Sequence, residues 1–177
     1  MSMQAMAAAM QRIEGVLQRR PEKGLHDDAP ATASWQGGTR VLTRHGNGTE
    51  TTTDMPPEFA GSGNDVTPGW LFRAGIAACA TTSIALQAAN QGIALSRLEV
   101  KASSRSDLRG VFGMTDLDGQ VVPAGPLDVE LSVRIAADGV APDRLRALVE
   151  STCRCSPIPD AVRRATPLAV RIDLGSD

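Results

Sequence analysis

Three cysteines are the residues of this sequence with the most reactive side chains. Cys79 lies alone in the apolar segment GWLFRAGIAACATTSIALQAANQG, whereas Cys153 and Cys155 flank Arg154 near the C-terminus. A thiolate is a nucleophile and a metal ligand, but a thiol in apolar surroundings is inert. The elements that carry Cys79 therefore decide whether it is a reactive group or a core residue.

The segment around Cys79 predicts a long helix from about Pro68 to Asn90. Asp65 or Thr67 can cap its N-terminal end, a proline suits its first turn, and Gly92 follows its last one. The helix is apolar on nearly all sides, which is typical of a helix enclosed by protein. One single-layer sheet cannot enclose it, so we expect a second subunit to do so.

Burial works against a reaction at Cys79. The cysteine lies about three turns from the start of the predicted helix, and the helix dipole acts only within the first turn. A reactive thiolate there requires a nearby guanidinium and a hydrogen-bond partner that holds this cation. From the residues alone both alternatives stay open, and a core cysteine is the more common one because free cysteine is among the most buried residue types.

The pattern of the remaining segments divides the chain into an N-terminal extension and one domain. Apolar residues at steps of three and four from Met3 to Leu17 predict an amphipathic helix, and we assign residues 1–24 to an N-terminal helical extension. Residues 25–177 are expected to form a single domain, because no internal repeat and no clean linker divides them.

The order of elements in this domain predicts an α+β fold rather than repeated βαβ units. Four short strands are expected, in residues 31–36, 39–45, 50–55 and 95–107. Apolar and polar residues alternate in 127–135, which is the clearest strand pattern. Two further helices are expected, in residues 141–152 and 156–165. A final strand is predicted by the alternation of Leu168, Val170, Ile172 and Leu174.

Composition argues against several classes of partner. The 177 residues carry a net charge of −2, so neither nucleic acid nor an anionic membrane would attract the protein. The longest apolar segment contains Arg73 and Gln87 and falls short of the roughly 20 apolar residues of a membrane span. Three cysteines are too few for a disulfide framework, which favours a reducing compartment, and we expect a cytoplasmic protein.

The paired cysteines do not predict a metal site. Cys-x-Cys is not the usual spacing of zinc ligands, and His26 and His45 lie in distant segments of the chain. We therefore expect no metal and no other cofactor.

Four segments occur in an order that is informative as a set: MPPEFAGSGNDVTPGWLFRAGIAACATTSIALQAANQGIALSRLEV, SDLRGVFGM, VPAGPLDVELSV and CSPIPDAVRRATPLAVRI. Together they resemble the family of osmotically inducible protein C and organic hydroperoxide resistance protein (OsmC/Ohr). The resemblance covers about residues 31–175 and leaves the N-terminal helix as an addition. It implies antiparallel sheets packed on a long central helix, and an intertwined homodimer in which sheets from both chains enclose two such helices.

The resemblance also implies a chemistry for the cysteines. In peroxidases of this family the helix cysteine attacks an organic hydroperoxide and becomes a sulfenic acid, and a second cysteine then forms a disulfide that dithiols reduce. Cys79 matches the first cysteine. If SPIPDAV is aligned on Pro157, Ser156 holds the position of the second cysteine. Cys155, one residue earlier, is our candidate for the second thiol or else a bystander, and Cys153 is expected in the core of its helix.

The sequence departs from the family at two further positions. The resemblance implies a glutamate just after the first proline of the helix, where this chain has Gly69 and Trp70. It also implies an arginine in the preceding loop, at a position that falls near Glu58 or Phe59 in this chain. Arg73, or Arg40 and Arg44 of the first hairpin, would have to replace that cation.

Three functions are compatible with these residues. A thiol-dependent peroxidase would use Cys79 and Cys155 to reduce a small organic hydroperoxide, with a dithiol as reductant. Its substrate-binding residues would be Trp70, Phe72 and Arg73. A non-catalytic member would instead bind an apolar small molecule in the dimer crevice near Cys79. An interaction protein would keep a structural thiol and use the N-terminal helix for docking.

Overall fold

The structure is a computed structural model that describes residues 2–164 and 166–175. Its helices are α1 (Met3–Arg19), α2 (Pro68–Asn90), α3 (Pro142–Cys155) and α4 (Pro157–Arg163). Its strands are β1 (Ala31–Trp35), β2 (Val41–His45), β3 (Glu50–Thr53), β4 (Arg97–Arg105) and β5 (Asp128–Ala136). Short 3-10 helices lie at Pro21–Gly24, Pro57–Phe59 and Leu108–Phe112. The predicted α+β class is confirmed.

The strands form two antiparallel sheets. The first contains β1, β2 and β3 in chain order, and the turn between β1 and β2 contains Gly37 and Gly38, whose positive φ values of 97° and 56° favour glycine. The second pairs β4 with β5 along their whole length. Alternate residues of β4 and β5 are half-buried, and β4 packs against α2.

Helix α2 begins and ends where the sequence predicts. Of the two candidate caps, Thr67 is the one used, because its hydroxyl oxygen accepts a hydrogen bond from the backbone N–H of Trp70 at 3.1 Å. Pro68 occupies the first helical position, where its missing N–H costs nothing. Beyond Asn90, Gly92 has a φ of 67°, a conformation that commonly ends helices.

One face of α2 supplies much of the core. Its buried residues at four-residue spacing are Ile76, Ala80, Ile84 and Ala88. The helix contacts α1, β4, α3 and α4, while Trp70 and Phe72 near its start stay exposed. By length and composition α2 is also apolar enough to cross a membrane, a property that the core helix of a soluble protein shares.

Helix α1 is present as predicted, but only its first half packs closely. Met3, Met6 and Met10 are half-buried, and the helix contacts α2. Further along the same face, Ile13 is 58% exposed and Leu17 is 37% exposed. The apolar face of α1 is therefore longer than the surface that the single chain offers to it.

The predicted final strand does not form within the single chain. Residues 166–175 have no regular secondary structure. The four apolar residues that predicted it, Leu168, Val170, Ile172 and Leu174, are 77–90% exposed. A strand requires a neighbouring strand edge for its backbone hydrogen bonds and a covered face for its apolar side chains. This segment finds neither in the described part of its own chain.

A buried carboxylate fixes the loop that leads from β3 to α2. Asp54 is only 4% exposed and accepts hydrogen bonds from the side chain and backbone N–H of Ser62, the hydroxyl of Thr39 and the backbone N–H of Met55. The hydrogen bonds from Ser62 and Thr39 hold the pKa of Asp54 well below its ordinary value of 3.8. The sequence does not indicate this role, because Asp54 falls within the predicted strand 50–55.

Asp54→Asn is expected to lower the melting temperature at pH 7 by several degrees. An amide has one acceptor oxygen where the carboxylate has two, and its NH₂ group would face the donors of Ser62. The folded-state pKa is depressed, so the contribution of Asp54 to stability is present at neutral pH and decreases as the pH falls below about 4. Thermal unfolding at pH 7 and pH 3 should show a smaller difference between wild type and variant at pH 3. Asp138→Asn, at an exposed position, is the control.

Candidate functional site

The thiol of Cys79 contacts the turn between α3 and α4. Its Sγ atom lies 3.3 Å from Oγ of Ser156 and accepts a hydrogen bond from the backbone N–H of Ile158 at 3.4 Å. Cys79 itself is half-buried. The sulfur is therefore held in a polar contact made by a segment 77 to 79 residues further along the chain.

The turn packs directly on α2. Helix α3 ends at Cys155 and α4 begins at Pro157, so that Ser156 alone joins them in an extended conformation. Ser156 is 0% exposed. Ile158 lies over Gly75, one helical turn before Cys79, where a Cβ would be in ordinary contact with its Cδ1 atom at 3.7 Å.

A second hydroxyl extends the polar contact. Oγ of Ser83 lies 3.0 Å from Oγ of Ser156, and Ser83 follows Cys79 by one turn on the same face of α2. Ser83, Ser156 and Cys79 therefore form a chain of hydrogen bonds. Ser83 lies four residues after Cys79 in the predicted helix, whereas nothing in the sequence indicates Ile158.

The other two cysteines lie outside this contact. Cys155 is exposed, and no hydrogen bond joins it to Cys79 within the described residues. Cys153 is half-buried near the end of α3; burial raises the pKa of its thiol, and the charge of Arg163 opposes that effect. The residue next to Cys79 is the serine that alignment on Pro157 placed at the second-cysteine position.

The arginines of α2 and α4, Arg73 and Arg163, form hydrogen bonds with groups other than Cys79. Arg73 donates to the hydroxyl of Ser104 at 3.3 Å, and its charge has no carboxylate within 4 Å in residues 2–164 and 166–175. Arg163 donates to the backbone carbonyls of Cys153 and Arg154, at 3.2 Å and 2.6 Å. In the part of the chain that the structure describes, no arginine forms a hydrogen bond with Cys79.

The predicted substrate-binding residues lie in the first two turns of α2. Trp70 is 48% exposed and Phe72 is 41% exposed, and Arg73 is directed to β4 by its contact with Ser104. A cavity of about 230 Å³ between α2, β5, α3 and α4 is lined by Ile76, Cys153 and Val162, among others, and not by Cys79. Among the described residues no group of three or more His, Cys, Asp or Glu is arranged to hold a metal ion.

Comparison with known families decides the assignment of this fold. The family described as OsmC-like protein matches residues 61–171, which is more than half of the chain and includes α2, the strands of the second sheet and the turn at Ser156. The chain belongs to the OsmC-like family. The match spans α2, whose buried residues are Ile76, Ala80, Ile84, Ala88 and Ala89.

Solved structures with a similar fold agree with this assignment. An organic hydroperoxide resistance protein OsmC from Legionella pneumophila is 22% identical, with a TM-score of 0.58, and the alignment covers 78% of this chain and 91% of that chain. An organic hydroperoxide resistance protein from Elizabethkingia anophelis, with thiocyanate bound, is 22% identical with a TM-score of 0.57 and coverages of 78% and 90%. An OsmC-like protein from Mycoplasma pneumoniae is 15% identical with a TM-score of 0.64 and coverages of 78% and 89%.

These identities are low enough that the similarity shows the fold alone. Among curated proteins, no sequence matches this chain. The chemistry of this OsmC-like protein therefore has to be argued from its own residues.

Proposed function

We propose that this OsmC-like protein is a thiol-dependent peroxidase that reduces small organic hydroperoxides at Cys79. The observation that carries the proposal is the polar contact at the sulfur. The backbone N–H of Ile158 donates to Sγ, and the hydroxyl of Ser156, which can donate or accept, lies 3.3 Å from it. Donors aimed at sulfur stabilise negative charge on it, and a thiolate is the form that attacks a peroxide.

The reaction forms one bond and breaks one. The Cys79 thiolate attacks the terminal oxygen of R–O–OH, so that an S–O bond forms while the O–O bond breaks. The leaving alkoxide takes a proton and departs as the alcohol R–OH, and Cys79 is left as a sulfenic acid. The sulfur is thereby oxidised by two electrons and the peroxide is reduced by two.

A homodimer is the second part of the proposal. The exposed apolar residues of the C-terminal segment, the exposed half of the α1 face and the exposed start of α2 are surfaces that a second copy would cover. The segment 166–175 has the alternation of a strand but lies against no strand edge of the described part of its own chain. A second copy of the chain offers such an edge. It also offers the arginines of its first hairpin, Arg40 and Arg44, as a source of a cation near Cys79, and Arg73 remains the predicted substrate-binding cation within the chain.

Replacing the apolar face of the C-terminal segment is expected to convert the dimer to a monomer. The double variant Val170→Asp, Ile172→Asp places charges on the face that would be buried, whereas Arg171→Asp alters the opposite face of the same segment. Sedimentation equilibrium should give a dimer mass for wild type and Arg171→Asp, and a monomer mass for the double variant. A dimer that survives the double substitution would contradict this mode of pairing.

The peroxidase activity is tested by the rate at which Cys79 reacts. The reduced protein is mixed with cumene hydroperoxide, and the sulfenic acid is trapped with dimedone and located by peptide mass spectrometry. We expect the adduct at Cys79, with a second-order rate constant at least about a hundredfold above that of free cysteine, in the range of general catalytic effects. A rate no faster than that of free cysteine would contradict the proposal.

A non-catalytic member that binds an apolar small molecule is the second candidate. It is favoured by one specific observation, namely that no guanidinium of the described chain forms a hydrogen bond with Cys79, while Gly69 and Trp70 stand where a glutamate is expected. Slow thiol chemistry together with saturable quenching of Trp70 fluorescence by a fatty acid would favour this candidate. Rapid oxidation of Cys79 would exclude it as the main function. In either case the free thiols suit the reducing cytoplasm.

A further inference from the structure

The residue that faces Cys79 across the α3–α4 turn is a hydroxyl and not a thiol. Ser156 is 0% exposed, and its Oγ lies within 3.3 Å of both the sulfur of Cys79 and the hydroxyl of Ser83. A serine hydroxyl cannot form a disulfide with an oxidised cysteine. If Cys79 becomes a sulfenic acid, the group that is best placed to reach it therefore cannot resolve it.

The neighbouring cysteine is poorly placed to act instead. Cys155 is exposed and belongs to the last turn of α3. That turn is held by Arg163, whose guanidinium donates to the carbonyls of Cys153 and Arg154. For Cys155 to take the place next to Cys79, the fully buried Ser156 would have to leave it. That displacement breaks the contacts of Ser156 with Cys79 and Ser83.

We propose that oxidised Cys79 is resolved by a thiol from outside the chain and not by a second cysteine of the chain. This inference rests on the proposed peroxidase function. The external thiol R′SH attacks the sulfur of Cys79–SOH, so that an S–S bond forms, the S–O bond breaks and the hydroxyl leaves as water. A second thiol group R′SH then attacks the mixed disulfide, which releases R′S–SR′ and restores the Cys79 thiol. The two electrons come from the two external thiol groups.

Ser156 has a defined part in this cycle. When Cys79 is protonated, its S–H can donate to Ser156, and Ser156 can donate to Ser83. When Cys79 is a thiolate, both hydroxyls can turn, so that Ser83 donates to Ser156 and Ser156 donates to the sulfur. The backbone N–H of Ile158 donates in both states. The pair of serines thus supplies the sulfur with a second donor in its charged state.

The product of oxidation distinguishes the two ways of resolving Cys79. One equivalent of cumene hydroperoxide is added to the reduced protein, glutathione is then added as the probe monothiol, and intact mass and peptide mapping follow the cysteines. We expect a sulfenic acid at Cys79, then a Cys79–glutathione mixed disulfide, and turnover with glutathione in excess. A disulfide between Cys79 and Cys155 or Cys153 would overturn the inference and leave the peroxidase function standing. No oxidation of Cys79 at all would overturn the peroxidase function itself.

Three variants sharpen the test. Ser156→Cys places a thiol at the contact distance, and we expect an internal disulfide with Cys79 and a yield of mixed disulfide at least about tenfold lower, because intramolecular attack has a high effective concentration. Ser156→Ala should slow the oxidation of Cys79 about tenfold, the usual worth of a hydrogen bond to a charged group, and leave the identity of the product unchanged. Cys155→Ser should give the same mixed disulfide as wild type. A resolving role for Cys155 predicts instead that wild type forms an internal Cys79–Cys155 disulfide and that this variant loses it. Circular dichroism confirms that each variant is folded.

Discussion

Cys79→Ser is expected to lower the second-order rate constant for reduction of cumene hydroperoxide by at least about a thousandfold, because removal of a nucleophile leaves only the binding contribution to the rate. Serine keeps the volume of the side chain and can still hydrogen-bond to Ser156 and Ile158, so the turn between α3 and α4 should remain in place. The rate of hydroperoxide consumption is measured with excess glutathione in a single aqueous phase. Circular dichroism and the melting temperature confirm the fold.

The matched control is Cys153→Ser. Cys153 is a half-buried thiol of the same chain, burial raises its pKa, and it takes no part in the contact at Cys79. We expect this variant to keep the hydroperoxide activity of wild type. If Cys79→Ser keeps the activity, Cys79 is not the nucleophile and the second candidate function gains support. If both variants lose activity, Cys153 also takes part in turnover, contrary to this prediction.

Gly61→Ala is expected to lower the free energy of unfolding by about 3 kcal/mol, since overpacking against rigid atoms lies at the upper end of such effects. A Cβ at Gly61 would lie 1.8 Å from the carbonyl oxygen of Met55. The clash is with backbone and not with a flexible side chain, so the loop itself must move. That loop carries the hydrogen bonds from Ser62 and Met55 to Asp54, and the movement would weaken them.

Gly46→Ala is the control for this substitution. A Cβ at Gly46 meets nothing within 4 Å, and the backbone there has no positive φ. Its effect should stay within about 0.5 kcal/mol, as for other surface changes. Urea unfolding followed by circular dichroism gives both values. Equal effects at the two positions would mean that the approach of Gly61 to Met55 does not hold the loop together.

The helices and the paired strands could be predicted from the sequence because local patterns determine them. The spacing of apolar residues predicts α1. A capping residue, a proline and a glycine predict both ends of α2. The alternation in β5 gave its buried face. The family resemblance placed Ser156 at the second-cysteine position, and the structure brings that residue next to Cys79.

The features that could not be predicted from the sequence depend on contacts between segments that lie far apart in the chain. The hydrogen bond from Ile158 to Cys79 joins residues 79 positions apart, and no local pattern encodes that approach. Asp54 resembled an ordinary strand residue, since its partners Thr39 and Ser62 are 15 and 8 residues away. The final strand was predicted from a pattern that identifies a strand but not the sheet that receives it.

The exposed apolar face of residues 166–175 has a kinetic consequence. If another copy of the chain must receive this segment, a lone chain cannot reach its final state, and the last step of refolding is a collision between two chains. The half-time of that step should shorten in inverse proportion to protein concentration, while formation of the earlier helices stays independent of it. Dilution before the final step should likewise leave a long-lived, incompletely folded species that precipitates easily through its unpaired segment.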